Sequence, residues 1–179
     1  MKTYKLNDLN NPLISVLMPA YNAEKYIKEA IESILNQTFS NFEFIIIDDG
    51  SIDATEEIIK SFKDSRIVYI KNEKNLGLIK TLNKGISIAR GEFIARMDSD
   101  DISMPQRFEL QLDVFKKYKG VDIVNVALKK MSEDGTKLSK YRHNIYPGFE
   151  AIHYLINIDT FIVHPGVLVK ACLLKKYRY

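Results

Sequence analysis

Short apolar runs alternate with amphipathic ones through the first two thirds of the chain. "LISVLMP" (13–19) is rich in β-branched and aliphatic residues and is stopped by Pro19, which predicts a buried strand. "AEKYIKEAIESILNQ" (23–37) then carries Tyr26, Ile27, Ala30, Ile31, Ile34 and Leu35 at helical spacing, with Asn22 as its natural N-cap. "FEFIIID" (42–48) is nearly continuous in apolar residues, the mark of a parallel strand covered on both faces. After "DDGS" a second helix is predicted, with Asp53 as N-cap, Glu56 in a capping-box-like spacing, and Ile58, Ile59 and Phe62 inward.

The alternation continues. "RIVYIK" (66–71) predicts a third strand, "LIKTLNKGISIAR" (78–90) a third helix ending at Gly91, and "EFIARM" (92–97) a fourth strand. Ser103 as N-cap, Pro105 in the first turn and Gln106 at the capping-box position open a fourth helix with Phe108, Leu112 and Phe115 inward. Four β-to-α units in succession imply an α/β domain with a doubly wound, mainly parallel sheet. The remainder changes character: "VDIVNVALKKM" and "KLSKYRH" flank Asp134-Gly135, a hairpin signal, so a trailing antiparallel pair is predicted. "GFEAIHYLIN" (148–157) reads as a short helix and "TFIVHPGVLVK" as a last strand interrupted by Pro165.

Composition narrows the partners. With 179 residues, 46% hydrophobic and 27% charged, the chain is long enough for one domain with a sizeable core. Net charge is +3, but the basic residues are scattered and lack arginine-rich, aromatic-interleaved runs, so nucleic acid is not an expected partner. The final "LLKKYRY" is locally basic and aromatic; a plain solvated face competes there with contact to an anionic membrane surface. One cysteine, Cys172, excludes an internal disulfide and reads as a small apolar core residue. The N-terminal "MKTYKLNDLNNP" has no apolar leader segment and no run approaches a membrane span, which places the expected location in the cytoplasm.

In open parallel sheets ligands bind at the carboxyl ends of the strands. Those ends here are Pro19-Ala20-Tyr21-Asn22, Asp48-Asp49-Gly50-Ser51, Asn75-Leu76-Gly77 and Asp98-Ser99-Asp100. Crowded acids raise one another's pKa, so Asp98, Asp100 and Asp101 call for a compensating partner. Asp98 and Asp100, spaced i and i+2, suit a hard divalent cation that keeps positions open for phosphate oxygens, whereas Asp101 reads as a solvated or capping residue. Tyr21 is either a core aromatic or a ring stacked on a flat base. Asp49 either caps the helix after it or accepts from the ring N–H of uracil. Turns alone are enough to account for Gly50 and Gly77, and acids before a helix are common caps.

These motifs, in this order, resemble glycosyltransferase family 2 with its GT-A fold. The resembling stretches are "ISVLMPAYN", "QTFSNFEFIIIDDGSIDAT", "NLGLIKTLNKGISIARGEFIARMDSDDISMPQRFELQ" and, more loosely, "FIVHPGVLV". The resemblance implies a nucleotide-sugar donor, a UDP-sugar, with Pro19, Tyr21, Asn22, Asp49 and Gly77 on the nucleotide side. It implies that Asp98-Ser99-Asp100 is the D-x-D, with Asp98 and Asp100 holding Mn²⁺ or Mg²⁺ on the diphosphate. It further implies inversion and a saccharide or lipid-linked acceptor, in cell-surface polysaccharide or glycolipid synthesis at the inner face of the cell membrane. Asn75, Gly77, Asn83 and Gly85 match the family's Asn/Gly pattern and are expected to shape the loop and helix. Lys80 and Arg107 lie near the rim in sequence, where a solvated role competes with assistance to the donor.

The general base is the departure. The family takes it from a Glu-Asp pair on a helix beyond the "HPGVL"-like segment, and the only such pair here, Glu133-Asp134, falls in the predicted hairpin turn. The expectation is therefore a lead-in over 1–12 and a GT-A domain over 13–179 truncated at its C-terminus. Residues 13–120 form its nucleotide-binding half and 121–179 the start of its acceptor half. His143 and His153 are too scattered for a metal site, and His164 is either an acceptor-cleft residue or a packed histidine. A nucleotide-sugar-binding module without turnover is the alternative. An aspartyl-phosphate phosphohydrolase is a more distant one, since the first strand ends in Met18-Pro19 rather than an acid. "MPAYNAE" lacks the Gly-rich turn of a dinucleotide-dependent oxidoreductase.

Overall fold

A computed structural model describes residues 11–127, 129–132, 138–140 and 164–179. Four β-to-α units come first: β1 (Ile14–Ala20), α1 (Ile27–Leu35), β2 (Phe42–Asp48), α2 (Thr55–Ser61), β3 (Ile67–Lys71), α3 (Leu78–Ile88), β4 (Phe93–Arg96) and α4 (Arg107–Lys117). They are followed by β5 (Ile123–Val124), β6 (Lys129–Met131), β7 (Leu138–Lys140), a 3₁₀ turn (His164–Gly166), β8 (Leu168–Lys170) and α5 (Ala171–Tyr177). The main sheet has the order β3-β2-β1-β4-β8-β5, with β1 to β4 mutually parallel and β8 antiparallel to both β4 and β5.

The predicted trailing hairpin exists as β6 and β7, paired antiparallel with Met131 opposite Leu138. The stretch read as one strand, "VDIVNVALKKM", is divided: Ile123–Val124 joins the main sheet and Lys129–Met131 the hairpin. The Asp134-Gly135 turn, Glu133, the helix predicted over 148–157, His143 and His153 lie outside the described residues.

Both faces of the sheet are covered, which is why the central strands read as unbroken apolar runs. On one face Val16, Met18, Phe42, Phe44 and Ile46 pack against Ile27, Ile31 and Ile34 of α1 and Phe108 and Leu112 of α4. On the other, Leu17, Ile45, Ile47, Ile94 and Val169 pack against Leu82 and Ile86 of α3. At the far end of the sheet from the strand tips, buried Glu43 accepts from Ser15 Oγ (2.6 Å) and from Arg90 N (2.7 Å) and Nε (2.8 Å), so its charge is paired and bonded.

The strand does not stop at Pro19; it continues to Ala20. Leu17 O accepts from Met97 N, so odd-numbered residues of β1 face β4, and the β1–β4 register ends at Leu17 with Arg96. The N–H that Pro19 lacks therefore falls beyond the ladder and leaves no bond unmade.

Several predicted caps act elsewhere. α1 starts only at Ile27, and Asn22, at φ 48°, turns its side chain to Ile52 N (3.1 Å) instead of capping a helix. Asp53 does bond the N–H of Thr55 (3.0 Å), but Glu56 pairs with Lys60 and Lys71 rather than closing a capping box. Ser103 is not a helix cap, since α4 begins at Arg107; its Oγ accepts from Gln37 Nε2 (3.2 Å) and its N–H donates to Ser33 Oγ (3.0 Å), tying the loop after β4 to α1. α3 ends at Ile88 with Ala89 extended, ahead of Gly91. Cys172 is exposed rather than in the core, because Ala171 is the residue of α5 that turns inward there.

Candidate functional site

The chain lays β2 and β3 outward on one side of β1, then returns to place β4 on the other. The loops leaving β1 and β4 therefore share one rim of the sheet, at the strand tips where open α/β sheets bind ligands. Two clusters lie along it, one built on Asp49 and one on Asp98 to Asp101.

Asp49 directly follows β2 and is 4% exposed. Its Oδ1 accepts from Asn72 Nδ2 (2.7 Å) and Leu76 N (2.9 Å), and its Oδ2 from Gly77 N (2.9 Å). Burial alone would raise its pKa, but the N–H of Leu76, the Asn72 amide, Thr81 and the N–H of Gly77 outweigh it and hold the carboxyl below its ordinary value. Asp49 is thus an anionic anchor for the 72–77 segment, a role the sequence reading did not assign. Gly50 makes this possible: at φ 78° it leaves space where a Cβ would lie 2.7 Å from the backbone of Lys74. Gly77, at φ 87°, is the N-cap of α3. Asn75 Oδ1 shares the Gly77 N–H at 2.9 Å.

The loop after β1 is fastened to the loop after β2. Asn22 N donates to Ser51 Oγ (3.0 Å), Ala23 N to Thr55 Oγ1 (2.8 Å) and Glu24 N to Asp53 Oδ2 (3.1 Å). Pro19 is buried, while Tyr21 is 48% exposed. The exposed ring of Tyr21 and the buried carboxylate of Asp49 thus lie on linked loops, with Asp49 N donating to Ala20 O (2.8 Å).

The other cluster lies past β4. Asp98 and Ser99 are half-buried and Asp100 is exposed. Asp98 forms an ion pair with the guanidinium of Arg96, which is itself 3% exposed. Asp101 is half-buried rather than solvated; burial, then the charges of Asp98 and Asp100, push its pKa up to about 6. Arg107 is not a rim residue: it is buried, and donates to Arg96 O (2.8 Å), Val167 O (3.2 Å) and Gln111 Oε1 (3.2 Å). Burial pulls its pKa down to about 10 against the attraction of Asp101. Gln111 extends the brace to Val124 O and Gly166 O, each at 2.9 Å.

His164 is also drawn here. Its ring stands edge-on to that of Tyr179 at 4.9 Å, and burial together with the charge of Arg96 lowers its pKa against the pull of Asp98. Asn83 does more than shape its helix: its amide bonds both Tyr179 N (3.0 Å) and Tyr179 O (3.1 Å). Lys80 is exposed on α3, and Gly85 lets α3 approach β1 so closely that a Cβ would sit 2.1 Å from Leu17 Cδ1.

The donor set suits a hard cation in its chemistry, since Asp98 and Asp100 offer carboxylate oxygens. Among the described residues no group of three or more histidine, cysteine, aspartate or glutamate side chains could hold a metal ion. Among the described residues no helix is long and apolar enough to cross a membrane.

Comparison with known proteins gives a consistent result. The sequence profile of glycosyl transferase family 2 matches residues 15–178. An uncharacterised glycosyltransferase of Methanocaldococcus jannaschii is 40% identical over 97% of this chain and 61% of its own length. Escherichia coli WfgD, named a UDP-Glc:alpha-D-GlcNAc-diphosphoundecaprenol beta-1,3-glucosyltransferase, is 37% identical over 65% of this chain and 49% of its own. The structure of S. aureus TarS in complex with UDP-GlcNAc superposes with a TM-score of 0.74 at 25% identity, covering 91% of this chain and 46% of that one. The chain therefore spans between 46% and 61% of the length of these proteins. By the family profile, the archaeal relative and the shared sheet, the chain belongs to glycosyl transferase family 2 and has the GT-A fold.

Proposed function

We propose that this rim binds a nucleotide-sugar donor, a UDP-sugar, and that the chain is the donor-binding part of a glycosyltransferase. The observation that carries this reading is the pairing of anionic Asp49, beside exposed Tyr21, with the acids of the D-x-D across the switch point. A carboxylate can only accept, so Asp49 favours a base edge that presents an N–H, as uracil does. Tyr21 offers its ring face to that base. Asp98, Ser99 and Asp100 face the diphosphate, and Asp98 and Asp100 would hold Mn²⁺ or Mg²⁺. Such an ion supplies charge neutralisation to the departing nucleoside diphosphate.

In this reading the acceptor is a saccharide or lipid-linked hydroxyl that attacks the anomeric carbon with inversion. It loses its proton to a base that we place outside residues 13–179. The product belongs to cell-surface polysaccharide or glycolipid synthesis at the cytoplasmic face of the membrane. The lengths of the relatives support taking the chain as one part of such an enzyme. A thermal-shift panel of uridine, UDP, GDP and UDP-sugars, with Mn²⁺ and with chelator, tests the donor half, because selective ligands raise apparent stability by mass action. UDP and UDP-sugars are expected to stabilise in Mn²⁺ and much less in chelator. Equal response to GDP would overturn the base assignment.

A further inference from the structure

Arg96 is an anomaly in its strand. It ends β4 and is 3% exposed, in a run otherwise apolar from Phe93 to Met97. Its backbone is fixed on both sides, since its N–H donates to Val167 O (3.1 Å) and its carbonyl accepts from Arg107 Nη2 (2.8 Å). Its side chain projects to the same side as Asp98, two residues on, and pairs with it through Nη1. Its Nε is buried with no hydrogen-bond partner. A buried guanidinium with an unmade bond is costly, and such a donor beside the D-x-D awaits an acceptor. Arg107 is turned to other acceptors: its Nε donates to Gln111 Oε1, its Nη2 to Arg96 O and Val167 O, and its Nη1 to Met97 Sδ (3.6 Å).

We propose that Arg96 is a built-in counter-ion that occupies Asp98 in place of the divalent cation until a diphosphate arrives. This rests on the donor reading above. A bare cation must take Asp98 from Arg96 and then sit beside a guanidinium that repels it, so it binds weakly alone. A diphosphate changes both terms: its oxygens complete the cation's shell, and its negative charge offers Arg96 an acceptor for the vacant Nε and for the Nη released from Asp98. Cation and nucleotide therefore bind with positive coupling, and Arg96 is the source of part of that coupling.

The test is Mn²⁺ binding to the full chain by calorimetry, alone and with saturating UDP, for the wild type, Arg96→Met and Arg96→Lys. Arg96→Met is expected to bind Mn²⁺ alone about tenfold more tightly than the wild type, and to show a correspondingly smaller gain from UDP. Arg96→Lys, which keeps a charge that forms fewer hydrogen bonds, is expected to lie between. Loss of packing cannot produce tighter binding, so a merely structural role predicts the opposite sign. Unchanged or weaker Mn²⁺ binding by Arg96→Met would overturn the proposal; if that variant melts early, the same result from Arg96→Lys would do so. Failure of the wild type to bind UDP with Mn²⁺ would sink the donor reading itself, and is seen before any variant is made.

Discussion

Asp49 Oδ1 accepts the backbone N–H of Leu76 at 2.9 Å, so the end of β2 sets the position of the loop that opens α3. Replacing Asp49 with Ala removes the acceptor of three bonds at once: Leu76 N loses its acceptor, while Gly77 N keeps Asn75 Oδ1 and Asn72 Nδ2 keeps only the longer bond to Thr81 Oγ1. We expect Asp49→Ala to lower stability by about 1–3 kcal/mol and to weaken uridine and UDP alike. Denaturant unfolding and calorimetry check both. Because the folded pKa lies below the ordinary value, this contribution is present above about pH 4 and fades as pH falls through the folded pKa. The stability gap between the variant and the wild type should narrow there.

The two acids of the D-x-D differ in surroundings and should differ on substitution. Asp100 is exposed, so Asp100→Ala should change stability by less than about 0.5 kcal/mol while removing the Mn²⁺-dependent part of UDP affinity and sparing uridine. Asp98→Ala strands buried Arg96 without its counter-ion. With Asp98 itself 34% exposed, a loss of about 1–3 kcal/mol is expected, below that of a fully buried pair. Equal stability of the two variants would contradict this division.

The Arg107 brace carries a structural prediction. Arg107→Met keeps bulk but abandons the carbonyls of Arg96 and Val167, and should cost about 2–4 kcal/mol in denaturant unfolding. An unfolding midpoint equal to that of the wild type would show that the brace is dispensable.

Asp101 gives the opposite pH behaviour to Asp49. Its folded pKa is raised to about 6, so the native state holds its proton more tightly than the unfolded chain, and stability falls as pH rises from about 4 through 6. Asp101→Asn should therefore stabilise the cation-free protein at pH 7 by on the order of 1 kcal/mol after solvent screening, with the gain vanishing below pH 4. Thermal melts across this range, in chelator, check the sign.

How far the sequence foretold this depends on whether the signal was local. Continuous apolar runs such as "FEFIIID" placed the parallel strands within a residue or two, because burial on both faces leaves no other pattern. The acids at strand ends were legible because topology alone delivers them to one rim. Caps were not: Asn22, Glu56 and Ser103 have the right chemistry for their own helices, yet a neighbouring loop or strand offers each a partner 15 or more residues away. Arg107 and Gln111 read as ordinary helix polar residues, since nothing local shows that Val167 and Gly166 return to that face. Arg96 did have a signal, a charge inside an apolar strand two residues before the D-x-D. Tyr179 had none, because its place depends on Asn83, 96 positions away.

Hydrogen exchange of the backbone amides, with and without UDP and Mn²⁺, reads out where the donor nucleotide sits on the sheet. We expect added protection at residues 20–22, 49–51, 75–77 and 98–101, the segments that follow the carboxyl ends of β1, β2, β3 and β4. Protection confined to other segments, or none at UDP concentrations that shift the melting temperature, would contradict it.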